Sequence, residues 1–225
     1  MTNALAAPGW YANGGLLRWW DGTKWTEHTA QAPLRAAASG PADRAMFTEQ
    51  VLVFKNKPVL IPISEFTLFD GDGRHLGNVV PRGQNVLQRA CGQRLDFLDP
   101  AGRGALLLTQ VKNRNAYTVE RPNIGEVGTV EAPRVMVRDR YSLTVNGVQI
   151  GEVARPGGWS KRFTVRDECG EQGGTVTFGV EKANALIISH YYATVRFHAR
   201  PTENLATMVA AAVPMAFRSF LSRRS

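Results

Sequence analysis

From Val51 onward the chain alternates apolar and polar residues in short runs, each closed by a turn. Phe66–Asp70 is followed by Gly71-Asp72-Gly73 and the apolar stretch Leu76–Val79. Leu95–Asp99 is followed by Pro100-Ala101-Gly102 and Ala105–Leu107. The same unit recurs as Tyr117–Val119 with Ile124–Val130, Tyr141–Val145 with Val148–Val153, and Phe163–Asp167 with Gly174–Phe178. A period of two with Asp, Asn, Pro and Gly between the runs predicts antiparallel hairpins. Asn146-Gly147 carries the strongest tight-turn signal, because both positions tolerate positive φ. Val51–Phe54 adds a leading strand and Ile187–Ala199 a closing one, which brings the expectation to about twelve strands. Lys55-Asn56-Lys57-Pro58 reads as a turn. On the closing strand Tyr191, Ala193, Val195, Phe197 and Ala199 share one face. Tyr192, Thr194, Arg196, His198 and Arg200 share the other, so one face is buried and the other wet and basic.

The pattern then changes. Leu205, Met208, Val209, Ala212, Val213, Ala216, Phe217, Phe220 and Leu221 recur at helical spacing, which predicts a helix over 203–222. Thr202 is the expected N-cap and Glu203 suits the positive end of the helix dipole. The remaining positions are small and uncharged, so the helix is apolar nearly all round and must lie in a core or in lipid. The uninterrupted apolar run, Leu205–Phe217, falls short of the roughly twenty residues a membrane span needs. A barrel of about eleven or more strands has room for a central helix. The expectation is therefore a mainly β fold: a closed antiparallel barrel of about twelve strands around a C-terminal helix. Pro214 lacks the N–H for the helical ladder, and a kink is expected one turn earlier, near Ala210.

The N-terminal residues have a different texture. Four of the five tryptophans lie within residues 8–29, and Trp20-Asp21-Gly22 before Lys24-Trp25 predicts a hairpin in a small β module. So small a unit needs large rings for its core. Residues 30–45 lack apolar periodicity and contain Pro33 and Pro41, as a flexible linker does. The expected organisation is a Trp-rich module over 1–29, a linker over 30–45 and a barrel domain over 46–225.

Composition narrows the possible chemistry. The 225 residues carry a formal charge of +8, and 21 of the 27 basic residues are arginine. This favours anionic partners. Cys91 and Cys169 lie far apart in sequence, as reduced thiols of a cytoplasmic protein do. The first residues lack the basic and apolar regions of a secretory signal. Asp70-Gly71-Asp72-Gly73 suggests a calcium loop, but the positions that follow lack the required ligands, and a hairpin turn is expected instead. His28, His75, His190 and His198 are scattered. Nucleophile, phosphate-loop and dinucleotide motifs are missing from the sequence. The reading is a protein without enzymatic activity, metal or cofactor.

Two resemblances follow from these residues. Pro8-Gly9-Trp10-Tyr11 with Arg18-Trp19-Trp20-Asp21-Gly22, Trp25 and Thr26 resembles the short Trp-rich domain of unknown function at the start of many high-G+C bacterial proteins. Its usual proline-and-aspartate segment is replaced here by Ala12-Asn13-Gly14-Gly15. The hairpin series, Gly158-Trp159 ahead of the Phe163 strand, and the final apolar helix are similar to the tubby-like C-terminal superfamily. That group includes phospholipid scramblases and LURP-one-related proteins. The resemblance implies a twelve-stranded barrel around a helix, and binding of anionic lipid or phosphoinositide, or scrambling of lipids. The acidic calcium segment of scramblases corresponds to Val180–Ala185, which holds one acid, so calcium regulation is not expected.

The candidate phosphate-binding residues are Lys55, Lys57, Arg138, Arg140, Arg155, Lys161, Arg162, Arg196 and Arg200, with Arg134 and Arg166 beside them. The expected site of action is the cytoplasm, peripheral on the inner face of the cell membrane, with anionic lipid as partner and nucleic acid not expected. The alternative is a soluble scaffold whose Trp-rich module recognises a protein partner through Trp10, Tyr11, Trp19, Trp20 and Trp25; these rings read as the core of the module or, alternatively, as a groove for a proline-rich peptide.

Overall fold

The computed structural model describes residues 9–13, 16–21, 23–31, 46–56, 65–82, 94–112, 114–132, 140–157, 160–182 and 189–222. They fall into two compact units, Met1–Ala37 and Ala38–Ser225. Lys57, Cys91, Arg134, Arg138, Gly158, Trp159 and most of the expected linker lie outside the described residues.

The first unit is a three-stranded antiparallel sheet of β1 (Gly9–Asn13), β2 (Leu16–Trp20) and β3 (Trp25–Gln31). Trp10 lies opposite Trp19, Tyr11 opposite Arg18, and Trp20 opposite both Gly9 and Trp25. The β2–β3 turn is held by Asp21, whose Oδ1 accepts from the N–H of Thr23 (2.7 Å) and of Lys24 (2.8 Å) and from the Thr23 hydroxyl. Those bonds, the Lys24 N–H foremost, lower the Asp21 pKa. β3 runs to Gln31, two residues into the stretch whose composition reads as linker.

The second unit is a closed antiparallel barrel of twelve strands. β4 (Val51–Asn56) leads. Five hairpins follow: β5 (Phe66–Asp70) with β6 (His75–Pro81), β7 (Arg94–Leu98) with β8 (Gly104–Gln110), β9 (Ala116–Arg121) with β10 (Gly125–Glu131), β11 (Arg140–Val145) with β12 (Val148–Ala154), and β13 (Arg162–Asp167) with β14 (Gln172–Lys182). β15 (Ser189–Phe197) pairs with both β14 and β4 and closes the cylinder. β4 is longer than its sequence suggests. Asn56 is 8% exposed and its amide donates to the Glu65 carbonyl at 2.9 Å. That bond satisfies a polar side chain at the rim, so Lys55 and Asn56 continue the ladder opposite Thr67 and Phe66.

The hairpin turns use the chemistry their residues offer. At Asp70 and Asp99 the same clamp recurs: Oδ1 accepts from the backbone N–H two and four residues on, and Oδ2 from the guanidinium four residues on, Arg74 or Arg103. Gly73 and Gly102 supply the positive φ, at 84° and 78°. The Asp70 loop is thus a hairpin turn. Asp167 repeats the backbone half of the clamp with Gly170 at 80°, but Glu171 stands where the arginine would be. Asn146 and Gly147 both adopt positive φ, 50° and 79°, as a type I′ turn requires.

Helix α1 (Glu203–Ser222) lies in the barrel core and continues through Pro214. Leu205 N–H donates to the Thr202 hydroxyl at 3.2 Å, which is the expected cap. From Ala206 to Phe217 every residue is buried. Phe217 meets Phe66 of β5 (5.0 Å between centroids), Phe178 of β14 and Tyr191 of β15, while Phe220 stacks on Phe178 at 5.2 Å. Ala206, Ala210, Ala211, Ala212 and Ala216 let the sheet approach the rest of the helix closely. Gly151 on the inner face makes room for Leu205, whose Cδ1 would lie 3.2 Å from an added Cβ. The helix is longer than its uninterrupted apolar run, and by length and composition Glu203–Leu221 could cross a membrane. What places it is burial: 72% of that window is enclosed by the protein itself.

Candidate functional site

The alternation that fills the core also fixes what faces out. On β13, Phe163 and Val165 are buried, so Arg162, Thr164 and Arg166 point outward. On β15, Ala193, Val195 and Phe197 are buried, leaving Tyr192, Thr194 and Arg196 outside as their alternation predicts. The register sets these side chains in rows. One runs Arg140, Ala154, Thr164, Thr175, Arg196, Val51 across β11 to β15 and on to β4. A second runs Arg162, Thr177, Thr194, Val53. Lys55, opposite Tyr192, opens the next row, with its ammonium 5.2 Å from the Phe69 ring centroid.

The outcome is a continuous basic wall. Among the described side chains its outward strand residues are Arg140, Arg162, Arg166, Arg196 and Lys55 with the acid Glu152, and Glu168 and Glu171 are exposed in the β13–β14 turn. Glu152 is tied up by Arg166 (3.0 Å) and Arg140 (3.3 Å). Arg162, Arg196 and Lys55 make no ion pair among the described residues and are exposed. Arg162 and Arg196 lie two strands and two residues apart, about 12 Å between Cα atoms. Thr164, Thr175, Thr177 and Thr194 floor the space between them. Two long guanidinium arms at that separation can converge on one phosphate group, with the exposed Thr177 between them and Thr175 buried.

The outward strand positions of β7–β10, of which β10 adjoins β11, are acidic, whereas Arg103 in the β7–β8 turn and Lys112 and Arg114 in the β8–β9 turn are basic. The outward residues of β7–β10 include Asp96, Glu120, Glu126 and Glu131, and Glu126 sits directly opposite Glu120. Arg94 is a basic residue of β7, and its charge acts on Asp96. Burial raises the Asp96 pKa, and the ion pair with Arg82 only partly offsets it.

Of the residues singled out by sequence, Arg162 and Arg196 come together two strands apart, while Arg140 on β11 and Lys55 on β4 face outward at the two edges of this set of strands. Lys161 is exposed beside Arg162, and Arg200 is exposed beyond the end of β15. Arg155 leaves the group, since its guanidinium lies 4.7 Å from the centroid of the buried Phe163 ring. Lys57 and Arg138 are outside the described residues. Trp10, Tyr11, Trp19, Trp20 and Trp25 occupy the paired strand positions given above. Two features escaped the sequence reading: the threonine floor, which becomes visible only when four strands are set in register, and Arg121. Arg121 points inward from β9, pairs with Glu203, donates to Thr207 Oγ1 at 2.7 Å and lies 5.5 Å from the Phe47 ring centroid. It fastens the helix N-terminus to the barrel.

The fold and this wall define a helix-filled, charge-polarised β-barrel, joined in one chain to a small Trp-rich sheet. Among known proteins, residues 8–38 match the model of a family described as "Protein of unknown function (DUF2510)". No curated protein matches the chain. It is similar to the X-ray structure of a protein from Arabidopsis thaliana at 12% identity and a TM-score of 0.49, over 80% of this chain and 98% of that one. The architecture given above rests on the pairing of the strands themselves.

Proposed function

We propose that the barrel is a non-enzymatic docking module that lays its basic wall on anionic lipid at the inner face of the cell membrane. The observation that supports this is the segregation of charge among outward strand positions: Arg140, Arg162, Arg166, Arg196 and Lys55 on β11–β15 and β4, and Glu120, Glu126 and Glu131 on β9–β10. An arginine excess due to composition alone would scatter over the surface. A polarised molecule orients in the field of an anionic leaflet, with roughly 1 kcal/mol available per basic residue near the surface. The filled interior argues against carriage of a ligand inside the barrel, because the helix occupies that space. Five hairpins, a closing strand and a buried C-terminal helix fit the order expected of the tubby-like group with its scramblase relatives, and we read the barrel as a member.

Co-sedimentation with vesicles tests the proposal. Binding to phosphatidylglycerol-containing vesicles at low salt, with little binding to phosphatidylcholine alone, is the expected result. Equal binding to both, or binding to neither, would refute it. A scaffold role for the Trp-rich sheet is the second reading, favoured by its compactness as a separate unit. Deleting residues 1–37 should then abolish capture of a protein partner and leave vesicle binding unchanged.

A further inference from the structure

The outward face of β15, β4 and β5 is less polar than strand alternation over a core requires. With Leu52, Phe54, Phe66 and Leu68 buried, β4 turns Val51, Val53 and Lys55 outward and β5 turns Thr67 and Phe69 outward. The register sets Thr194, Val53 and Phe69 in one row and Tyr192, Lys55 and Thr67 in the next. Val51 has a local reason to be apolar, for it lies on Gly71, where an added Cβ would stand 3.1 Å from its own Cβ. Val53 and Phe69 are half-buried and cover no glycine. The Tyr192 ring lies across Gly179, where an added Cβ would stand 2.1 Å from the ring Cζ, so the ring is held against the sheet and is still 36% exposed. Tyr192, Val53 and Phe69 thus make an apolar strip across three neighbouring strands.

What borders the strip selects its partner. Half-buried aliphatic side chains also face out on β6 and β8, but there Val80 and Leu107 lie opposite Asp96, and Leu107 lies opposite Glu120. The strip on β15, β4 and β5 has cations instead. Lys55 is opposite Tyr192 with its ammonium over the Phe69 ring, Arg196 follows four residues after Tyr192 on the same face, and Arg162 ends the row of Val53. The described acids at the ends of β4 and β5 are Glu49 and Asp70, both bonded to Arg74, with Asp72 exposed in the turn after β5 and Glu65 ahead of it. The surface is the convex side of a closed barrel, without a free strand edge for a peptide. Cations around a shallow apolar strip match the layering of an anionic leaflet, phosphates outermost and acyl chains beneath. A tyrosine, apolar in the ring and polar at the tip, suits that boundary.

We propose that Tyr192, Val53 and Phe69 are the apolar contact of the barrel with an anionic bilayer, seated at the acyl boundary while Lys55, Arg162 and Arg196 hold phosphates; this rests on the docking role proposed above. Charge attraction is screened by salt, whereas burial of apolar surface is not. The test compares the full chain with V53T/Y192T on phosphatidylglycerol-containing vesicles, at low salt and at about 0.5 M salt. V53T alone, which leaves the ring over Gly179, is the second variant, and I124S, in the exposed β9–β10 turn beside Glu126, is the control. Thermal unfolding accompanies each. The natural chain and I124S should retain measurable binding at high salt. V53T/Y192T should bind about tenfold more weakly there, and V53T about threefold. If the double variant unfolds earlier, V53T decides. Variants that bind as the natural chain does, an equal loss in I124S, or complete loss of the natural chain's binding at high salt would overturn the strip and leave the docking role standing. So would salt-resistant self-association without vesicles that V53T/Y192T abolishes, which would assign the strip to a second copy. Failure of the natural chain to bind anionic vesicles at low salt would overturn both.

Discussion

Asp99 shows how much one side chain can do in this barrel. Its carboxylate is buried, accepts from the N–H of Ala101 (2.9 Å) and of Arg103 (2.8 Å), and takes a further bond from Arg103 Nε at 2.6 Å. Hydrogen bonds to a charged group contribute about 1.5–3 kcal/mol each, but they share one carboxylate and do not add. Asp99→Ala should destabilise the barrel by about 2–4 kcal/mol, read from denaturant unfolding. The pH dependence follows from the same clamps. Burial raises the Asp70 and Asp99 pKa values, but backbone N–H bonds and the partner arginines outweigh it, so both end below the ordinary range. A carboxylate with a lowered folded-state pKa is protonated first in the unfolded chain. Its contribution is therefore complete above the unfolded value, about 3.9, and is lost as pH falls through the folded value. Asp96 works in the opposite sense, since its raised pKa removes stability as pH rises through it. Asp99→Asn should flatten the acid limb of the stability–pH curve, and Asp96→Asn should relieve the loss above it. These turns were legible because their chemistry is local: an Asp, a Gly three residues on and a glycine-compatible φ. Arg155 was not, because its neighbour Phe163 lies on another strand.

At the scale of elements the helix decides the fold. Its periodicity, its N-cap and its lack of a polar face were all readable from Thr202–Leu221. Its surroundings were not, because Phe66, Phe178 and Tyr191 reach Phe217 from strands far apart in sequence. Val209 is fully buried, so Val209→Asp places a charge in a dry core and should abolish cooperative unfolding of the barrel. Asn204→Asp, at an exposed position in the first turn, should leave stability unchanged or slightly raised. Phe217→Ala should cost about 3–5 kcal/mol. A soluble, cooperatively unfolding Val209→Asp protein would mean that the helix is not the core. The end of β4 was misread for a related reason. Lys55-Asn56-Lys57-Pro58 has turn composition, but Asn56 finds the Glu65 carbonyl across the ladder, a partner that the local sequence does not reveal.

The whole molecule adds what no stretch of sequence carries. The basic residues could be counted along the chain, yet their gathering on one wall depends on the register of β11 to β15 with β4. Closure of the barrel by the β15–β4 pairing brings Lys55 beside residues more than a hundred positions away. The acids on β9 and β10 face each other through the register of a single hairpin, Glu120 opposite Glu126. Position, and not total charge, is thus the claim that matters. R162E/R196E and K112E/R114E change net charge by the same amount, the first on the basic wall and the second in the exposed β8–β9 turn. The decisive measurement is vesicle co-sedimentation of the natural chain and these two variants at low salt, with unfolding midpoints shown to be equal. The charge-polarised account predicts that R162E/R196E loses at least tenfold in binding to phosphatidylglycerol-containing vesicles while K112E/R114E stays within about twofold of the natural chain. Equal losses in the two variants, or no loss in R162E/R196E, would contradict it.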